Sequence, residues 1–361
     1  MARTMKVAQL VPRMEVGGVE RGTVEIARAL VAAGHSAYVI SAGGRLVAEI
    51  EKAGGRHITM PIGSKNALVA AKCISRLRAV IRSEGIEIVH ARSRVPAWVG
   101  LQAAKGTRTH FVTTAHGFYR PHPLSRSMVM GEKVIAVSHP LKQYLMEKFG
   151  VPESRIVVIH RGVDVGEFRE RSVAEAQAFR AVWKIPPDAI LVGMVGRPSA
   201  VKGHPVFFAA IQNLSKVGLP VYGVVVGVES ARAAASAGAH VAFVPPTPEV
   251  AIAYSAMDIC VMSSIAPEAF GRTVIEAMAC RRAVVASALG GVLDIIEDER
   301  NGLLFPAGDA AALAARLRRL VLDAALRSRL AEAGHQTVVE KFTLERYTAA
   351  TLALYQELLA G

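Results

Sequence analysis

The sequence predicts an α/β fold of two doubly wound, Rossmann-like parallel-sheet domains facing a cleft, on three observations. Short, almost wholly apolar runs rich in β-branched residues alternate with amphipathic stretches along the chain. The alternation breaks at one polar stretch and then restarts. The chain has 361 residues, more than a single hydrophobic core usually serves.

In chain order, the first half reads as strands near Lys6–Val11, Ala37–Ile40, His57–Met60, Glu87–Ala91, His110–Ala115, Lys133–Val137 and Ile156–Ile159. Between them lie amphipathic segments such as Val19–Ala33 and Lys65–Ser83. The Arg/Glu-rich stretch Gly162–Arg171 reads as the linker. Strands then recur near Ile190–Val195, Val221–Val226, Val241–Val244, Ile259–Met262, Ala283–Ala286 and Leu303–Phe305. Helical segments close the chain, the last being Leu344–Leu359. The expected division is 1–165, 166–343, and a terminal helix 344–361 that crosses back onto the first domain. In such sheets ligands bind beyond the carboxyl ends of the strands, so the site is expected in the cleft.

A composition of 52% hydrophobic and 20% charged residues belongs to a folded chain, not a disordered one. No apolar run reaches the roughly 18 residues of a spanning helix, and the N-terminal apolar stretch reads as a strand, not a signal-peptide core. Cys73, Cys260 and Cys280 lack metal-binding spacing, so a reducing cytoplasm is expected. Residues 1–165 hold 24 Lys and Arg against 11 Asp and Glu, and the remainder holds 19 of each. The whole excess of +13 therefore lies in the first half. That asymmetry points to a polyanion or an anionic membrane surface, although a solvated basic surface also satisfies it.

The residues suited to chemistry follow strands. Gly17-Gly18 stands between the first strand and a helix, where glycines admit a phosphate to the helix N-terminus; Gly-Gly is also common in plain turns. The loop Gly196-Arg197-Pro198-Ser199-Ala200-Val201-Lys202-Gly203 carries two cations suited to a departing diphosphate, or simply to solvent. In Ala266–Ala279 a helix should start near Gly271, leaving the amides of Gly271, Arg272 and Thr273 free for phosphate or sugar oxygens. Glu268 precedes that helix and Glu276 lies in its early part, where a carboxylate can accept from both hydroxyls of a ribose or merely pair with the helix dipole. His116-Gly117 ends a strand, a place where a histidine is catalytic or structural. Gly290-Gly291 offers another close backbone approach. No P-loop lysine motif, H-E-x-x-H, G-x-S-x-G or metal-chelating Asp-x-Asp occurs.

Taken in order, these elements resemble the family-4 glycosyltransferases, retaining enzymes of the GT-B fold. The resemblance runs through Gly17-Gly18, His116-Gly117, Ile135–Ser138, Gly162-Val163-Asp164, Gly196-Arg197, Lys202-Gly203, Glu268 to Glu276, Gly290-Gly291 and Asn301–Leu304. It implies that Arg197 and Lys202, beside Gly196, bind the donor diphosphate, and that Glu276 holds the ribose. By the same resemblance Phe270 to Thr273 line the donor site, Glu268 and His116 lie near the reacting centre, and Gly17-Gly18 approaches the phosphates. No cofactor or metal is implied; a UDP- or GDP-sugar is the co-substrate. The sequence departs from the family pattern at His160-Arg161, usually Pro-Asn, at Ala269 and Arg281, usually Gly, and at Asp294, usually Glu.

The first domain of such enzymes commonly binds the acceptor. Its cations Lys72, Arg76 and Arg82, on a segment that also carries Leu68, Val69, Ile74, Leu77 and Ile81, suit a membrane surface, as do Arg120 and Arg126 near Met128-Val129-Met130. The expected acceptor is a lipid-linked or lipopolysaccharide-type glycan, the expected location peripheral on the inner face of the cytoplasmic membrane. Epimerases or hydrolases of nucleotide-sugars share the architecture. A nucleic-acid module is disfavoured, because zinc-finger spacing and an RNP-like aromatic motif are missing.

Overall fold

The computed structural model describes residues 4–228 and 240–360. The chain forms two compact units, one of Met1–Arg161 with Glu345–Gly361 and one of Gly162–Leu344. Each is built on one parallel sheet.

The first sheet comprises β1 (Lys6–Leu10), β2 (Ser36–Ser41), β3 (Arg56–Thr59), β4 (Ile88–Ala91), β5 (His110–Ala115), β6 (Lys133–Ala136) and β7 (Ile156–Val158). Its order is β3-β2-β1-β4-β5-β6-β7. The second comprises β8 (Ile190–Val195), β9 (Val221–Val226), β10 (Val241–Val244), β11 (Ile259–Met262), β12 (Ala283–Ser287) and β13 (Leu303–Phe305), in the order β10-β9-β8-β11-β12-β13. Their central strands are buried on both faces, as their unbroken apolar runs require. The winding reverses between β1 and β4 and between β8 and β11. At those switch points the loops beyond the strand ends diverge and leave a crevice.

Helices cover both sheets. Leu77 and Ile81 pack with Leu10 and Val89 in the first unit, and Phe207 and Leu317 pack with Val225 and Val285 in the second. Local sequence sets the helix starts. Ser172 and Glu175 form a reciprocal capping box, and the carboxylates of Asp309 and Asp323 accept the amides of Ala312 and Leu326. Each such cap contributes about 1 kcal/mol.

The helix Ala67–Glu84 corrects one expectation. Of its apolar residues, Leu77 and Ile81 are core, Val69 and Ile74 pack against that core, and Leu68 alone is largely exposed. Met128 and Val129 are buried as well, leaving Met130 outside. The stripe faces the sheet because it recurs at the helical period, so Lys72, Arg76 and Arg82 occupy the opposite, solvent face. Arg120 and Arg126 are exposed too.

The departures at positions 269 and 281 have different consequences. Arg281 adopts a left-handed φ of 56°, which a glycine would accept without strain, and forms an ion pair with Glu332. Ala269 has no such conformation.

Candidate functional site

In the second unit, the loops after β8 and β11 meet at the switch point. Gly196 leaves β8 with φ 143°, its amide still bonded to Val226 O at 2.9 Å. Gly203 ends the loop with φ 69° and starts the helix His204–Lys216. A Cβ there would lie 1.8 Å from the carbonyl oxygen of Ser263, so both conformation and space demand glycine.

That contact joins the cation loop to the carboxylate loop. The buried Ser263 hydroxyl lies 3.2 and 3.1 Å from the carbonyls of Lys202 and Gly203, and the amide of Ile265 donates to Val201 O at 2.8 Å. Lys202 Nζ then reaches Glu268 Oε1 at 2.5 Å, and the hydroxyl of Ser264 donates to the same oxygen. The two charged side chains are 24% and 20% exposed, partly shielded yet reachable by a ligand. Arg197 is exposed, and among the described residues its guanidinium has no partner. The loop therefore presents one cation already neutralised and one free.

Gly290-Gly291 serves this loop through packing. A Cβ on Gly290 would lie 2.5 Å from Glu268 O, and one on Gly291 would lie 2.3 Å from Ala269 O. The Gly291 amide donates to Glu268 O at 2.8 Å. The close backbone approach expected for a ligand is made to the Glu268 segment.

Gly271, with φ 112°, is the N-cap of the helix Arg272–Ala279, which carries Thr273 in its first turn. Phe270 is buried against Phe342, with ring centroids 5.6 Å apart, so it anchors the helix start. Glu276 lies more than one turn into the helix, where Oε2 accepts from Tyr254 Oη at 3.0 Å and Oε1 lies 3.4 Å from Arg272 Nε. Burial, with the Glu276 charge next, holds the Tyr254 hydroxyl well above its usual range, so it stays a donor. Burial likewise pushes the Cys280 thiol up to about 12. It is not a nucleophile.

In the first unit, Gly17 caps the helix Gly18–Ala32 with an extended φ of −178°, which any residue could adopt. Its side-chain space is bounded only by the Glu20 carboxylate. His116 follows β5. Its amide donates to Tyr119 Oη at 3.0 Å, and its Nε2 is shut from solvent with no partner among the described residues. Burial, then the charges of Arg161 and Arg92, hold this imidazole well below the usual histidine range. It is neutral at pH 7. Nearby, His90 bridges Tyr355 Oη at 2.5 Å and Thr114 Oγ1 at 2.6 Å.

Sequence reasoning missed Ser263, Ser264, Tyr254, Arg92 and Arg161. A pair of hydroxyls at the carboxyl end of β11 was a usable signal for the serines; the other three are recognisable only from tertiary contacts.

Residues 16–167 match the Glycosyltransferase Family 4 profile, and residues 175–337 match Glycosyl transferases group 1. A glycosyltransferase from Rickettsia africae ESF-5, known as a crystal structure, is 31% identical, with 99% of each chain covered and a TM-score of 0.89. The D-inositol 3-phosphate glycosyltransferase of Xylanimonas cellulosilytica is 29% identical, covering 95% of this chain and 92% of its own. Anabaena HepE, solved in complex with UDP-glucose, is similar in fold at 20% identity, with a TM-score of 0.85 over 98% of this chain and all of its own. Both units thus carry the family's sequence, and a relative matches from end to end: the chain belongs to the family-4 glycosyltransferases and has the GT-B fold.

Proposed function

We propose that this glycosyltransferase moves a hexose-type sugar from a UDP- or GDP-sugar to a lipid-linked or lipopolysaccharide-type envelope glycan, with retention and without a bound metal. The observation that carries the donor half is the Lys202–Glu268 pair beside the unpaired Arg197 at the second unit's switch point. Arg197 and Lys202 take the diphosphate, each charge-assisted bond contributing on the order of 1.5–3 kcal/mol. The amides of Gly271 to Thr273 and the Gly17-Gly18 turn offer helix-start donors to phosphate or sugar oxygens. Glu276, oriented by Tyr254 and Arg272, accepts from the ribose hydroxyls.

In the transfer, the bond from the anomeric carbon to the phosphate oxygen breaks and a bond to the acceptor oxygen forms on the same face. The departing phosphate oxygen receives the acceptor's proton. The protein's part is positioning and stabilisation of the charge on the leaving diphosphate. Glu268, released from Lys202, lies nearest the sugar, and neutral His116 offers a hydrogen bond beside the acceptor hydroxyl.

The acceptor half rests on the surplus of cations in residues 1–165 and on the exposed Lys72, Arg76, Arg82, Arg120 and Arg126. Among the described residues no helix is long and apolar enough to cross a membrane, and the proposed association with its inner face is peripheral. A second reading, favoured by the names of the sequence relatives, is a soluble phosphorylated cyclitol as acceptor.

The deciding experiment measures nucleoside diphosphate release from a panel of UDP- and GDP-hexoses, with envelope glycolipid, with inositol phosphate, and with neither. Glycolipid-dependent release, with the product's anomeric configuration retained by NMR, is the expected result. Release only with inositol phosphate supports the second reading. Release that needs neither acceptor supports an epimerase or hydrolase and overturns both.

A further inference from the structure

We infer that Arg161 is a positioning residue that fixes the Gly17-Gly18 turn, and that Gly22 is a glycine in order to admit its guanidinium. The inference rests on reading that turn as a donor-phosphate contact.

Position 161 is where the sequence departs from the Asn usual in the family. Its side chain is 4% exposed, and its partners are spread along the chain. Nη2 donates to the carbonyl of Gly18 at 3.0 Å and lies 3.3 Å from Glu25 Oε2. Nη1 donates to Tyr347 Oη at 2.6 Å, while Cζ stands 4.5 Å from the centroid of the same ring. Tyr347 Oη also accepts from Arg92 Nη1 at 3.3 Å. An arginine fork can make these contacts together; an asparagine cannot.

Gly22 lies inside the helix Gly18–Ala32, where glycine costs about 1 kcal/mol relative to alanine. Its own backbone does not explain it, because its φ is not positive. The guanidinium does. A Cβ at position 22 would stand 2.0 Å from Nη2, 2.2 Å from Nη1 and 2.5 Å from Cζ of Arg161. The missing side chain lets the cation lie against the helix and hold the Gly18 carbonyl in its first turn. That fixes the direction of the free amides at the turn and places positive charge beside them, both of which favour a phosphate.

The test uses the full chain and whichever of UDP and GDP the wild type binds more tightly by calorimetry. Gly22→Ala should displace the guanidinium and weaken binding at least threefold, with the thermal midpoint held or raised because alanine is the better helix former. Arg161→Asn should weaken binding similarly. In the double variant the new methyl fills vacated space, so affinity should fall no further and the midpoint should recover from that of Arg161→Asn. Gly17→Val tests the turn itself. If it weakens binding while Gly22→Ala binds like wild type, the role of Arg161 is wrong and the turn reading stands. If Gly17→Val also binds like wild type, the turn reading fails and takes this inference with it. Losses that simply multiply in the double variant would likewise overturn the link between the two residues.

Discussion

The carboxylate of Glu268 occupies the cation that the donor diphosphate needs, and this has a measurable consequence. Lys202 Nζ and Glu268 Oε1 are 2.5 Å apart, and Ser264 donates to the same oxygen. A diphosphate approaching Lys202 must displace that carboxylate and meets its negative charge as well. Glu268→Gln keeps the shape, removes the charge and leaves the lysine available. A charge-assisted bond contributes about 1.5–3 kcal/mol, but these side chains are 24% and 20% exposed, so screening reduces the competition to about 1 kcal/mol.

Free UDP or GDP should therefore bind Glu268→Gln roughly fivefold more tightly than wild type, while sugar transfer falls. Lys202→Ala should weaken binding, and Lys202→Ala combined with Glu268→Gln should match Lys202→Ala alone. Isothermal titration calorimetry of the four proteins closes the cycle. Affinity in Glu268→Gln that is unchanged or weaker would show that the pair does not compete with the diphosphate, and the assignment of Lys202 would fall with it.

Three further outcomes follow from the structure. Tyr254→Phe removes a 3.0 Å bond to Glu276 and should raise donor KM about threefold with kcat nearly unchanged; an equal loss in kcat would move Glu276 to the reacting centre. Excess chelator should leave transfer intact, and abolition with rescue by magnesium or manganese would contradict the charge assignment to Arg197 and Lys202. His90 and His116 have imidazoles held well below the usual 6.5, mainly by burial, so the unfolded chain binds more protons than the native one as pH falls through that value. Their contribution is complete above 6.5 and is lost below it, by up to about 1.4 kcal/mol per pH unit for each. Chemical denaturation at pH 7.5 and 5.5 should show that loss, and equal stabilities would refute it.

How far the sequence revealed this depends on what kind of fact each residue represents. A parallel strand buried on both faces is written as a continuous apolar run, so β1 to β13 are legible one by one, and the loops after β8 and β11 can be found by counting from them. The residues that orient the site are not local facts. Ser263 matters because its hydroxyl meets carbonyls some sixty positions earlier, and Gly22 because of an arginine 139 positions later. Gly290-Gly291 was legible as a place of close approach, but the neighbour it approaches, the Glu268 segment, was not.

The helix Ala67–Glu84 shows the same limit with consequences for the acceptor side. Its period announces an amphipathic helix, yet a period alone does not say whether the apolar face meets a sheet or a lipid surface. Leu77 and Ile81 are committed to the core, and Leu68, at 76% exposure, is left to meet a membrane. Adhesion to anionic vesicles should therefore be chiefly electrostatic, with each well-placed cation contributing about 1 kcal/mol at low salt. Because the Debye length shrinks to roughly 3 Å at 1 M salt, high salt should release the protein almost completely. Reversing Lys72, Arg76 and Arg82 to Glu should abolish sedimentation with the vesicles, whereas Leu68→Ser should reduce it only slightly. Binding that survives 1 M salt would mean that apolar insertion dominates, and failure to bind at low salt would favour a soluble acceptor.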